Sequence, residues 1–176
     1  MAQRAILILE ADEKAVLALR RCLSQEPYSL LFASKVSEAL DLLEAHPVEV
    51  VISASVLPEM TGGEFLKQVR RRRPEAMRIL LSSQANLSSS VEAVVRGEIF
   101  RFLTEPWDEI ELRGVIRGAL ERLQCERENR RLLAVVRGEV HAAIEGIGVE
   151  PPLVRTRSGA ILLEDSEGET VALGVG

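Results

Sequence analysis

Side chains able to do chemistry are sparse in this chain, and most of them are carboxylates. Glu10 and Asp12 follow the first apolar run, and Glu105 follows the last one before Pro106. Two carboxylates brought together with waters can hold Mg²⁺ through oxygen ligands. They can also raise one another's pKa by like-charge repulsion. The plainer reading is a solvated acidic edge without a metal, with Glu10 and Glu105 as the candidate ligands. Ser53, Ser55, Ser82 and Ser83 carry hydroxyls, but a serine nucleophile needs an adjacent base. The two histidines, His46 and His141, fall outside these blocks. The serines are therefore expected to make ordinary hydrogen bonds. Arg70 to Arg73 could bind phosphate, but the preferred reading is a helix C-terminus whose cations complement the helix dipole. Glu10-Ala11-Asp12-Glu13 stands where a glycine-rich phosphate loop would follow the first run, so a nucleotide lacks its cradle there.

The elements that must position these groups alternate. Ala5 to Leu9, Tyr28 to Phe32, Val48 to Ile52, Ile79 to Leu81 and Ile99 to Leu103 are short apolar runs, the pattern of strands buried on both faces. Between them, apolar residues recur at helical spacing: Ala15, Val16, Leu19, Cys22 and Leu23, then Val36, Ala39, Leu40 and Leu43, then Phe65, Leu66 and Val69, then Val91, Val94 and Val95. Pro47 ends the second helix near His46, because the residue before proline disfavours helix. Strand and helix alternating five times predict a parallel sheet covered on both faces. Loops at the carboxyl ends of its strands form the natural functional edge.

From Asp108 to about Ile147 the chain reads as one long helix. Leu112, Ile116, Ala119, Leu120 and Leu123 form its packing face. Glu126 to Arg131 interrupt that face, and Leu132, Leu133, Val136, Val140 and Ile144 resume it. Pro151-Pro152 closes the helix. Residues 151–176 hold short apolar pieces between turn signals at Ser158-Gly159 and Ser166-Glu167-Gly168, which predicts a small hairpin-like β segment. The expected division is 1–123, a helical extension 124–150, and 151–176.

Composition narrows the function. The 176 residues are 47% hydrophobic and 28% charged with a net charge of −5, a globular balance with none of the basic excess of a nucleic-acid binder. Aromatics are 3%, too few for base-stacking platforms. Cys22 and Cys125 lack metal or disulfide spacing. The N-terminal apolar run stops at Glu10, short of the roughly 7–15 residues of a signal peptide, and no run approaches the ~18 of a membrane span. The expectation is a soluble cytoplasmic protein.

Four blocks carry a family resemblance: Val50-Val51-Ile52-Ser53-Ala54, Leu57-Pro58-Glu59-Met60-Thr61-Gly62, Arg78-Ile79-Leu80-Leu81-Ser82, and Ile99 through Asp108 with its Thr104-Glu105-Pro106-Trp107. Residues 1–123 resemble a response-regulator receiver domain, most like the receivers attached to HD-GYP phosphodiesterases. The resemblance implies a flavodoxin-like, doubly wound α/β fold with five parallel strands in the order 2-1-3-4-5. It also implies phosphoryl transfer to an aspartate, with an acidic pair holding Mg²⁺ and a lysine offsetting phosphoryl charge.

Position by position, the resemblance puts Ala54 at the nucleophile, Glu10-Ala11 at the acidic pair, Ser82 at the hydroxyl, Glu105 at the lysine, and Phe102 at the aromatic switch. Alanine cannot form an acyl phosphate, and Glu105 puts an anion where a cation belongs. The expectation is therefore a pseudo-receiver in bacterial two-component signalling: not an enzyme, without cofactor, working by docking to a kinase or output protein. Phe102, Trp107, Leu133, Val136 and Val140 are the contact candidates, and a homodimer through the long helix or the face of the fourth helix, fifth strand and fifth helix is expected. No nucleic-acid or membrane partner is. The segment after the receiver-like block is too short for a winged-helix or HD-GYP output. Two alternatives stand: a divergent receiver phosphorylated at another side chain, such as Glu10 or a serine, and a structural protein assembling through its C-terminal helix.

Overall fold

The computed structural model describes residues 4–82 and 87–147 and the strands Val154–Arg155, Ile161–Glu164 and Thr170–Ala172, with side chains for 4–82 and 90–137. The order is β1 (Arg4–Leu9), α1 (Glu13–Leu23), β2 (Tyr28–Ala33), α2 (Val36–Ala45), β3 (Val48–Ala54), α3 (Gly62–Arg72), β4 (Met77–Ser82), α4 (Leu87–Val95), β5 (Arg101–Thr104) and α5 (Glu109–Ile147). β6, β7 and β8 are the three C-terminal strands just given. They form a separate antiparallel sheet in that order. The chain divides into two compact units, Met1–Arg127 and Glu128–Gly176.

The first unit is built on a five-stranded sheet in the order β2-β1-β3-β4-β5, every pair parallel. Alternate residues of a strand point to opposite faces, and here both faces are apolar. Ile6 and Ile8 of β1, Val50 and Ile52 of β3, and Ile79 and Leu81 of β4 pack against Leu19 and Leu23 of α1 and Leu112, Ile116 and Leu123 of α5. The interleaved Leu7, Leu9, Val51 and Leu80 pack against Val36, Ala39 and Leu43 of α2 and Phe65, Leu66 and Val69 of α3. Each of these side chains is buried, worth roughly 1.5–3 kcal/mol for a large aliphatic one.

Local chemistry sets the helix ends. Asp12 caps α1, its carboxylate accepting from Lys14 N–H at 3.1 Å. Thr61 and Glu64 form a capping box at the start of α3, which satisfies two otherwise orphan donors. α2 closes at His46, before Pro47. The basic run Arg70, Arg71 and Arg72 is the last turn of α3, where cations complement the dipole.

Two expectations shift. β5 begins at Arg101, two residues later than expected, because the chain turns through Gly97 at φ 66° and Ile99 enters the core from that turn. Of the three valines that mark α4 in the sequence, only Val94 packs against the core, and it is half-buried. Val91 and Val95 are 47% and 81% exposed, and among the α4 residues with described side chains the fully buried one is Ser90.

Gly62 is fixed by close approach. A Cβ there would stand 1.9 Å from the carbonyl oxygen of Ala54, and backbone cannot yield that far. Gly62→Ala is expected to cost about 2–3 kcal/mol, read as a lowered urea midpoint.

Candidate functional site

Parallel strands bring their carboxyl ends to one edge, so residues distant in sequence meet there. Glu10 follows β1, Ala54 ends β3, Ser82 ends β4 and Glu105 follows β5. Backbone bonds fix the loops. Glu10 N–H donates to Ala33 C=O at 3.1 Å, Ser55 N–H to Leu81 C=O at 2.7 Å, and Glu105 N–H to Ser82 C=O at 2.9 Å. The β3–α3 loop is tied to itself by Gly62 N–H donating to Ser55 C=O at 2.9 Å and by a bridge between Val56 and Thr61. The Glu105–Pro106 peptide is cis.

The edge opens into a cleft of about 720 Å³ whose lining includes Glu10, Asp12, Ala54, Ser55, Glu105 and Trp107. The sequence placed Glu10 and Glu105 near one another with Asp12 beside them, and all three line this cleft. Glu10 is 6% exposed, and its Oε1 accepts from Asp12 N–H at 2.9 Å. Burial pushes its carboxyl above the usual carboxylate value, and the negative charges of Glu105 and Asp12 add to that push. The backbone N–H groups of Asp12 and Ala11 act in the opposite sense without cancelling it.

Other expected groups lie elsewhere. Ser82 does not line the cleft. It is buried, and its Oγ meets the equally buried Oγ of Ser90 on α4 at 2.9 Å. Ser53 is buried, and its hydroxyl donates to Ala54 C=O at 3.0 Å, the ordinary hydrogen bonding expected of it. Among the described residues, Ser55 is the expected hydroxyl that reaches the cleft. Ser83 and the side chain of His141 lie outside the described residues. His46 stands at the α2–β3 turn, the opposite end of β3 from Ala54. Phe102 and Trp107 are both half-buried but pack on opposite faces of the sheet. Phe102 joins the α2–α3 side and Trp107 the α1–α5 side. Only Trp107 lines the cleft. Leu133 and Val136 on α5 are 58% and 54% exposed, and the side chain of Val140 lies outside the described residues.

Sequence reasoning missed Ser90 and the cleft's two cations, Lys14 and Arg21. Ser88-Ser89-Ser90 gives no signal as to which hydroxyl faces β4. Lys14 and Arg21 lie on α1 at a spacing of seven, two helical turns, a signal that was legible once α1 was placed beside the edge.

The Mg²⁺ that this kind of edge implies does not fit these residues. Ala11 and Ala54 offer no side-chain oxygen, and Glu10 is buried with Oε1 already accepting a hydrogen bond. Among the described residues no three metal-ligating side chains converge.

The doubly wound parallel sheet in the order 2-1-3-4-5 is the flavodoxin-like α/β arrangement that receiver domains share, with acidic residues gathered at its carboxyl edge. The chain matches the response regulator receiver domain family over residues 6–117 and belongs to it. Those domains are the receivers of two-component response regulators. The chain is 32% identical over 130 residues to the hydrogenase transcriptional regulatory protein HoxA of Cupriavidus necator, covering 74% of this chain and 27% of that protein. It is 29% identical over 131 residues to the transcriptional regulatory protein GlrR of Escherichia coli K12, covering 74% and 29%. It therefore spans just over a quarter of the length of these curated relatives. Among solved structures it is similar to the signal receiver domain of an HD domain-containing protein from Pseudomonas fluorescens Pf-5, with 38% identity and a TM-score of 0.68, covering 73% of this chain and 94% of that one. No described helix is long and apolar enough to cross a membrane.

The buried Glu10 carboxyl has a consequence for stability. Its folded pKa is raised, so the neutral form favours folding below the unfolded pKa, and that contribution is lost as pH rises through the folded value. Glu10→Gln keeps an acceptor for Asp12 N–H and removes the charge. It is expected to raise Tm at pH 7.5, where the unaltered carboxyl would carry its disfavoured charge. The gain should vanish near pH 4 in the same thermal scans.

Proposed function

We propose that this chain is a pseudo-receiver, a receiver fold that signals by docking and not by accepting a phosphoryl group. The observation that carries the reading is the composition of the edge. Ala54, without an oxygen nucleophile, ends β3 under Gly62. Glu105 follows β5, where the resemblance calls for a cation. Its charge already acts on Glu10 in the direction that disfavours a second anion. A phosphoryl group brought here would meet an excess of carboxylates, with Glu105 in place of the cation that offsets its charge and only Lys14 and Arg21 of α1 opposite. Ser82 is engaged with Ser90, so the remaining hydroxyl position also points away from this chemistry.

The proposed role is that of a cytoplasmic adaptor in two-component signalling, not an enzyme, engaging a kinase or output protein without nucleic acid. The identity with a receiver of an HD domain-containing protein supports the HD-GYP-like flavour read from the sequence. Acetyl phosphate with Mg²⁺ is expected to leave the chain unmodified by intact-mass measurement. Ala54→Asp alone is also expected to stay unmodified, because Ala11 and Glu105 still lack a metal ligand and a cation. Efficient modification of that single variant would refute the site assignment. Modification of the unaltered chain would favour the alternative, a receiver phosphorylated elsewhere.

A second reading, assembly through α5, is favoured by the exposed Leu132, Leu133, Val135 and Val136 within four helical positions of one another. Exposed aliphatic clusters of that kind mark association surfaces. Leu133→Glu with Val136→Glu is expected to convert any dimer seen by light scattering to monomer while leaving Tm within a few degrees. An unchanged mass would remove α5 from the interface.

A further inference from the structure

We infer that the cleft at the carboxyl edge of the sheet is a receptor for an arginine side chain presented by a partner protein. The inference deepens the pseudo-receiver reading and rests on it, because a cleft that accepts a phosphoryl group and its cation would not be left for a guanidinium.

Charge is the first argument. Glu10, Asp12, Glu105 and Glu109 line the cleft, against Lys14 and Arg21. Arg21 is already engaged, 3.9 Å from Glu109. Asp12 and Glu105, together with the buried Glu10, therefore outnumber the one remaining ammonium. An occupant must bring positive charge, and an anion is repelled. A bare metal ion is disfavoured by the donor set described above. A guanidinium needs no closed coordination sphere. It presents five N–H donors in a planar fork that matches carboxylates.

The walls are the second argument. Ala15, Ala18, Val56, Pro106 and Trp107 line the same cleft. Arginine lays its aliphatic stem along apolar surface while its head reaches polar groups, and its planar head stacks on an indole face. Trp107 is half-buried against the α1–α5 core, so packing holds the ring in place beside the carboxylates. The volume of about 720 Å³ falls within the range of roughly 300–1,000 Å³ typical of ligand sites, ample for one long side chain.

The rim is the third argument, and it says that the arginine belongs to a protein. Leu17, Val56 and Ile110 are 66%, 71% and 75% exposed. Leu17 lies three residues after Lys14 and four before Arg21, on one face of α1. Ile110 adjoins Glu109. Val56 lines the cleft, while Leu17 and Ile110 neighbour lining residues in sequence, and exposed aliphatics beside a charged cleft match a protein interface, where an anchor is surrounded by contacts that exclude water. The raised Glu10 carboxyl fits the same picture, since a cation brought beside it relieves the repulsion from Glu105 and Asp12.

The test uses the full ¹⁵N-labelled chain and N-acetyl-arginine methylamide as the probe. The neutral citrulline analogue, N-acetyl-lysine methylamide and MgCl₂ serve as comparisons. The arginine probe is expected to shift the amides of Glu10, Asp12, Ser55, Val56 and Glu105 and the Trp107 indole, with a Kd of about 1–10 mM. Binding should weaken as salt rises. Glu105→Gln, which leaves the core untouched, should weaken binding roughly tenfold, the scale of one charge-assisted hydrogen bond. Trp107→Ala should weaken it less. Four results would overturn the proposal: no shifts at this edge, equal shifts from citrulline, equal shifts from the lysine probe, or tighter binding of Mg²⁺ at the same amides. Concentration-dependent shifts of these amides without probe would assign the cleft to a second copy of the chain and overturn the partner assignment too. Beryllofluoride in a separate sample keeps the two readings apart. A response to it at Glu10, Ala54 and Ser82 defeats the pseudo-receiver reading, whereas silence toward every probe defeats the arginine site alone.

Discussion

Placement of the cleft depends on β3 being buried on both faces. A central parallel strand has no solvated side, so Val50 and Ile52 must face one helical layer and Val51 the other. That requirement locks its register. Ile52 pairs with Ile8 on one side and Ile79 on the other, and a slip of one residue would turn every apolar side chain to the wrong layer. With the register fixed, Leu9, Ala54, Ser82 and Thr104 all end at one edge, and the residues that follow them have no freedom about where they meet. Gly62 then folds the next loop onto the Ala54 carbonyl. The cleft is thus a by-product of core packing, independent of the residues that line it.

That separation explains what the sequence made legible. A strand buried on both faces leaves an unbroken apolar run, so the five strands and their parallel arrangement could be read directly. The packing face of α5 could too, because Leu112, Ile116, Ala119, Leu120 and Leu123 keep helical spacing and are all buried. α4 resisted for the opposite reason. It is a short helix rich in serine, and of the valines that suggest a buried stripe only Val94 packs against the core, half-buried. β4 instead takes a hydroxyl from Ser90. A hydrogen bond between residues eight apart on two different elements leaves no periodic trace. Phe102 and Trp107 were both legible as distinctive residues, but their assignment to opposite layers follows from strand and loop geometry alone.

The acidic pair shows how far residue types carry an argument without distances. Glu10 and Glu105 could be placed at one edge from topology. Whether their charges interact was a matter of burial, and Glu10 is nearly sealed from solvent. In bulk water two carboxylates several ångströms apart repel by only about 1 kcal/mol, but the effect grows as the local dielectric falls. A residue followed by a tight turn, with Asp12 N–H capping its carboxylate, holds its place even though its charge is disfavoured there.

An edge with this charge balance is an unstable compromise unless something else depends on it. The fold could have relieved it cheaply, since one cation at position 105 would face both Glu10 and Asp12 across the cleft. Instead the position carries a carboxylate, while the hydrophobic frame around it is intact down to the glycine that touches Ala54. Core packing constrains the frame and says nothing about residue 105. Its side chain lines an open cleft, and no buried group needs it as a partner. In the arginine-receptor proposal that carboxylate belongs to what the cleft meets, and its sign calls for a positive incoming group.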